Sequence, residues 1–188
     1  MNFKRIVQFL LLTVFGCVGT AHAISIGANS EPKLVNLDES GLVAINIDFD
    51  VESQGGAFRI NFDETIAANP VFRFEDDLNT KFGITELTVD DTNAGYLELG
   101  IGTLSFTQGV SGAGLLGNFS FDAIAKGEFI LGFNDGFGGF SDFNTFQPQD
   151  INYQNTTVKV VSNVPVPAAV WFFASGLGVL CSRKRKCQ

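Results

Sequence analysis

The sequence predicts an all-β protein: one two-sheet antiparallel β-sandwich over residues 24–163, with an apolar helical segment at each chain end. Three observations predict it. Apolar and polar residues alternate with a period of two along several stretches, the mark of strands with one buried face. Gly, Asn, Asp and Ser cluster between those stretches, where turns are needed. The 188-residue chain, 45% hydrophobic and 17% charged, is long enough for one packed domain plus short extras.

Val43, Ile45, Ile47, Phe49 and Val51 alternate with Ala44, Asn46, Asp48, Asp50 and Glu52. Phe58, Ile60 and Phe62 alternate with Arg59, Asn61 and Asp63. The same pattern recurs with Phe119, Phe121 and Ala123, with Phe129, Leu131 and Phe133, and with Val158 and Val160. Weaker strands are expected at Lys33–Leu37, Val71–Phe74, Leu87–Val89, Tyr96–Ile101 and Thr103–Thr107. Ser53-Gln54-Gly55-Gly56 and Gly109 to Gly114 are expected between strands, and Glu64–Ala68 as a helical turn stopped by Asn69-Pro70. Twenty Phe against one Trp and two Tyr suit such a core, because Phe buries a ring with no polar atom to satisfy.

The charge is unevenly placed. All 20 acidic residues lie between Glu31 and Asp150, with only 6 of the 12 basic ones in residues 24–163, so this segment carries a net −14. Such a surface repels nucleic acid phosphates, and no nucleic-acid partner is expected. The only His is His22 and the three Cys are Cys17, Cys181 and Cys187, all outside the sandwich. A Ser-His-Asp triad, a Cys nucleophile, a Cys/His zinc site and an internal disulfide are thereby excluded from it.

Residues 1–23 read as a secretory signal peptide. Lys4 and Arg5 form the positive start, Ile6 to Phe15 the apolar run, and Ala21 and Ala23 the small residues that signal peptidase requires before cleavage after Ala23. An uncleaved anchor helix and a lipoprotein with Val14-Phe15-Gly16-Cys17 as its lipid box stay open as alternatives. At the other end, residues 164–188 combine a proline motif, an apolar segment and a basic cluster. Val164 to Ser182 contain no charge over 19 residues, about 28 Å as a helix. Arg183, Lys184, Arg185 and Lys186 would stay cytoplasmic while the sandwich is exported.

This tail resembles the PEP-CTERM sorting signal, which bacteria process with an exosortase. The residues that carry the resemblance are Val164-Pro165, Pro167-Ala168-Ala169, Trp171-Phe172, Ser175-Gly176-Leu177 and the terminal Arg/Lys run; Val166 stands where the namesake motif has Glu. The resemblance implies export in a Gram-negative bacterium, transient membrane anchoring through the tail helix, an exosortase-type partner, and delivery to the cell surface or an exopolysaccharide matrix. A second resemblance covers most of residues 33–161. Gly55-Gly56-Ala57-Phe58, Asp63, then Val110-Ser111-Gly112-Ala113-Gly114-Leu115-Leu116 before Phe119-Ser120-Phe121-Asp122-Ala123 and Gly127–Phe133 follow an order similar to that of cohesin-type domains. It implies a binding or scaffold sandwich of about nine strands.

Carboxylates are the remaining candidates for chemistry. Asp48, Asp50 and Glu52 share a strand face, and Asp76-Asp77 and Asp90-Asp91 fall in loops. A solvated acidic face is the simplest reading of them. Calcium, which takes oxygen ligands, has a candidate site at Asn134, Asp135, Asp142 and Asn144 in a Gly-rich stretch that does not match an EF-hand; no other cofactor is expected. Tyr96 and Tyr153 are the candidate sugar platforms, and Asn118 and Asn155 head glycosylation-like triplets. Three function classes follow: a non-enzymatic surface or matrix protein whose sandwich binds another surface protein or polymer, a carbohydrate-binding module for exopolysaccharide, and a secreted hydrolase using carboxylates alone.

The two prolines keep helix from forming ahead of the apolar tail, leaving an extended stretch that a protease on the outer face can reach. Protein recovered from the surface of its host is expected to end near Val164–Pro167. Intact mass and C-terminal peptide mapping check this; surface protein still carrying Trp171 and Arg183 would identify a permanent single-span anchor instead.

Overall fold

A computed structural model describes residues 23–29 and 31–162. These hold β1 (Ala23–Ala28), β2 (Lys33–Asn36), β3 (Ser40–Asn61), β4 (Ala67–Phe74), α1 (Leu78–Phe82), β5 (Glu86–Asp90), β6 (Tyr96–Gly102), β7 (Val110–Ala123), β8 (Gly127–Asp135), β9 (Ser141–Asp142), β10 (Asp150–Gln154) and β11 (Thr156–Val161). The sandwich expected from the alternation is present, and one strand organises it. The first half of β3 lies between β1 and β7, which carry β10 and β4 on their far edges. Its second half lies between β6 and β8, which continue to β5 on one side and to β11 and β2 on the other. The pairing is antiparallel except for β1 with β10 and β2 with β11.

Ser53-Gln54-Gly55-Gly56 therefore does not separate two strands; it bends one. Buried positions fall on odd numbers from Gly41 to Gly55 and on even numbers at Phe58 and Ile60. Because side chains alternate strictly along a strand, such a change of parity needs an irregular residue. Gly55 supplies it with φ 107, a conformation costly for any residue with a Cβ. Its neighbour Gly56 packs so closely on Gly139 that an added Cβ would strike that residue's carbonyl.

The core is continuous between the layers. Ile24 and Ile26 from β1, Val43, Ile45, Ile47 and Phe49 from β3, and Phe119 and Phe121 from β7 are buried against Leu97, Leu99, Leu131, Val158 and Val160 of the other layer. A chain of rings stitches them: Phe62 to Phe119 at 5.7 Å, Phe119 to Phe121 at 5.8 Å, and Phe121 edge-on to Phe129 at 5.7 Å. Among the described residues the core cluster runs from Ile24 to Val160.

Three further local expectations are corrected. The segment Thr103–Thr107 is not a strand. The Ser105 backbone N–H donates to Thr103 Oγ1 at 3.1 Å, and those of Thr107 and Gln108 donate to Ser105 Oγ at 3.2 and 3.1 Å, so side-chain hydroxyls take the place of ladder partners. The stretch Gly109 to Gly114 is not a loop; from Val110 onward it is the start of β7. Its Gly112 and Gly114 face the Phe82 ring of α1, a helix the alternation gave no sign of. With five residues, Leu78 and Phe82 buried and Gly83 as a left-handed cap, α1 is held by its packing more than by its own propensity. The turn at Glu64 is not helical through Ala68: β4 begins at Ala67 and passes Asn69-Pro70 as a bulge, with Asn69 at φ 48.

Phe121→Ala is expected to cost about 3–5 kcal/mol, a large share of the stability of a domain this size. The exposed Ile130→Ala is expected to change stability by less than about 0.5 kcal/mol. Urea denaturation of both variants of the sandwich checks the pair.

Candidate functional site

The outer side of the layer built by β5, β6, the second half of β3 and β8 carries the most structured polar surface. Arg59 on β3 faces Glu98 on β6, its register partner. Arg59 Nε donates to Glu98 Oε2 at 2.7 Å, and its guanidinium lies over the Tyr96 ring at 4.8 Å. The other carboxylate oxygen of Glu98 accepts the Phe137 backbone N–H at 2.9 Å. The hydrogen bonds from Arg59 and then Phe137 hold the Glu98 carboxyl below its ordinary range against the opposing effect of burial, while the hydrogen bond to Glu98 raises Arg59. On the same face Asn61 Nδ2 donates to Asn134 Oδ1 at 3.0 Å. Tyr96, one of the two expected platforms, is thus half-buried beneath a cation.

The proposed calcium ligands fall in two separate places. Asn134 and Asp135 end β8, where Asp135 accepts the Tyr153 hydroxyl at 2.8 Å. Its own burial, and then that bond, push the Tyr153 hydroxyl far above its ordinary value, and the second expected sugar platform is held as a structural residue. Asp142, on β9, turns its Oδ1 to the backbone N–H groups of Asn144 and Thr145 at 3.0 and 2.7 Å and to Thr145 Oγ1 at 2.9 Å. Their register partners on β3 are Phe58 and Ser53, five residues apart, roughly 17 Å along a strand. Among the described residues no group of three or more acidic, His or Cys side chains is placed to hold a metal ion.

The other carboxylates are distributed likewise. Asp48 and Asp50 are exposed on the outer face of β3, and Asp77 pairs with Lys81 at 3.0 Å on α1. Asp63 and Asp90 each accept the backbone N–H and hydroxyl of a Thr two residues on, and Asp122 accepts Ser40 and Asn69; these contacts lower all three carboxyls. A glycosidase acid needs the opposite displacement. Asn118 donates to Glu75 and Asn155 accepts from the Phe133 N–H, so both triplet asparagines have structural roles. A depression of about 710 Å³ on the outer face of the other layer is lined by Ser25, Gly27, Asn46, Asp48, Ala113 and Gln154. Ala23, the last residue of the expected signal peptide, is the first of β1. Ala21 and the sorting residues from Val164 to Lys186 lie outside the described residues.

No protein-family model and no curated protein matches the sequence. Solved structures of cohesins do match its fold. The seventh ScaB type I cohesin of Pseudobacteroides cellulosolvens superposes with a TM-score of 0.60 at 13% identity, over 77% of this chain and 96% of that one. A type I cohesin–dockerin complex from Clostridium thermocellum gives 0.58 at 11%, over 74% and 99%. The sixth cohesin of the Acetivibrio cellulolyticus scaffoldin B, solved with a dockerin, gives 0.55 at 16%, over 76% and 100%. The class defined by the fold is therefore the cohesin-like β-sandwich, and the likeness spans nearly the whole of each cohesin.

Because the Glu98 carboxyl is lowered in the folded state, its stabilising contribution is present above its ordinary value of 4.5 and is lost as pH falls through the lower folded value. Glu98→Gln is expected to flatten the acid-side fall in Tm below about pH 4.5 relative to the parent protein. Paired thermal scans across that range check it.

Proposed function

We propose that the protein is an exported, non-enzymatic surface or matrix protein: a C-terminal signal handled by an exosortase sorts it, and its cohesin-like sandwich binds another surface protein. The observation that carries the binding part is the match to cohesins over 96–100% of their length, since two of the three cohesins described were solved with dockerin partners. The sorting part rests on the tail residues Val164 to Lys186, and the surface or exopolysaccharide-matrix location on what that tail resembles. Two features favour protein binding, the first over hydrolysis and the second over sugar binding. The carboxylates with displaced pKa values are all lowered, toward charge and away from proton donation. Both tyrosines that a sugar-binding surface could use are engaged, Tyr96 under Arg59 and Tyr153 on Asp135.

The test sets protein against glycan. Amine cross-linking of the full chain in its host is expected to give an adduct with a second protein. The isolated sandwich is expected to migrate unretarded through affinity gels containing the host exopolysaccharide and to give no signal on a glycan array. Retardation without a protein adduct would move the reading to a carbohydrate-binding module. Neither adduct nor retardation would remove the binding reading altogether.

A further inference from the structure

One end of the sandwich departs from the rest. Three segments meet there: residues 103–109 between β6 and β7, residues 136–140 after β8, and residues 143–149 before β10. All three are tied to β3 at its bend. The Thr103 N–H donates to Gln54 O, the Gly136 N–H to Ala57 O, and the Phe143 N–H to Glu52 O, at 3.2, 3.0 and 3.1 Å. Gly109 lies directly against the Phe143 side chain. Internal bonds hold the segments as well, from the Ser105 turn and from the Gln149 N–H to Phe140 O at 2.9 Å.

These segments contain no charged residue, in a domain of net −14. They carry the most exposed apolar side chains of the described residues: Phe106 at 99%, Phe137 at 87%, Leu104 at 68% and Phe146 at 66%. Ten other phenylalanines are buried, so these rings are outside because the backbone that bears them is fixed by the loops, not for want of a core. Acidic residues border them: Asp142 precedes and Asp150 follows the third segment, Glu52 accepts the Phe143 N–H and Gln149 Nε2 at its carbonyl, and Glu86 is the register partner of Gly102 just ahead of the first. The nearby cations are already paired, Arg59 with Glu98 and Lys81 with Asp77.

An uncharged aromatic centre inside a charged rim is the anatomy of a protein-docking surface. The sign of the rim selects the partner. A second copy would bring one acidic rim against another, and an anionic bilayer would meet the same repulsion. The end also points away from the C-terminal exit: Val160 of β11 pairs with Gly127, the first residue of β8, and Phe137 follows its last residue, about 30 Å away. A domain held by its C-terminal tail would present these rings outward from the anchoring membrane.

We propose that this end, centred on Phe106, Phe137 and Phe146, docks a protein partner that offers an apolar pocket bordered by Lys and Arg. The inference rests on the protein-binding reading and assigns it the loop end of the sandwich, where Phe137 borders the Arg59–Glu98 face through its N–H to Glu98.

The test is photo-crosslinking of the full chain in its host. Benzoylphenylalanine is placed singly at Phe106, Phe137 and Phe146, and for reference at the exposed Ile130 and Asn46 on the two sheet faces, away from the loops. Adducts are identified by mass spectrometry. The expected result is one partner with a basic surface, captured from the loop positions and not from the reference positions. In isolated surface fractions its yield is expected to fall as salt rises from about 0.05 to 0.5 M, because rim attraction is screened. The Phe106→Ser/Phe137→Ser variant is expected to lose about tenfold or more of the adduct at the remaining position while keeping the parent Tm, since both rings are outside the core. Capture from Ile130 or Asn46 alone would keep protein binding and overturn this surface. Adducts of the chain with itself or with lipid would overturn the partner. No protein adduct from any position would overturn both the surface and the protein-binding reading.

Discussion

Strand β3 has to serve two sheets at once, and most of the structure is arranged around that constraint. Along its 22 residues it is hydrogen-bonded to β1, β6, β7, β8 and β9, so both layers are held in register by one continuous backbone. The arrangement works only if the buried face changes parity where the strand leaves one layer for the other. Gly55 in the left-handed region makes that change, and Gly56 lets the segment 136–140 lie against the bend. The position of the three aromatic segments is a consequence, since each is anchored to backbone groups of residues 52–57.

Phenylalanine fills much of the space between the two layers. Phe62, Phe119, Phe121 and Phe129 form a line of rings in tilted and edge-on contact across that space. None brings a polar atom, so the interior needs few internal hydrogen bonds; Ser53 and Thr156 are the buried polar residues among those described, and both are bonded. Acidic side chains are left on the surface, where the Asp63, Asp90 and Asp142 turns use them to fix backbone N–H groups. The −14 charge is therefore an outer shell on an uncharged frame, interrupted at the Phe106, Phe137 and Phe146 end.

The cohesin likeness bears on function through this frame. At 11–16% identity the likeness lies in the path of the chain, not in its side chains. What a partner would meet is decided by the outward residues: the Arg59–Glu98–Tyr96 cluster on one sheet face, and the rings at the loop end.

The sequence by itself determined the fold class, the strands centred on Val43, Phe58, Phe119, Phe129 and Val158, and the absence of thiol, imidazole and zinc chemistry from the sandwich. Period-two burial and missing residue types are local properties, readable without coordinates. Tertiary structure alone decided the rest. Alternation marks where a strand runs but not whether a glycine cluster ends it, and the same residue type gave a bend at Gly55 and a packed strand at Gly112. Thr103–Thr107 looked like a strand because β-branched residues favour one, yet Thr103 and Ser105 hydroxyls capture the backbone there. The aromatic end was hidden because a Phe in a sequence reads as core. Only the closure of three segments on the bend of β3 places Phe106, Phe137 and Phe146 in solvent, since burial belongs to the folded surface and not to the residue.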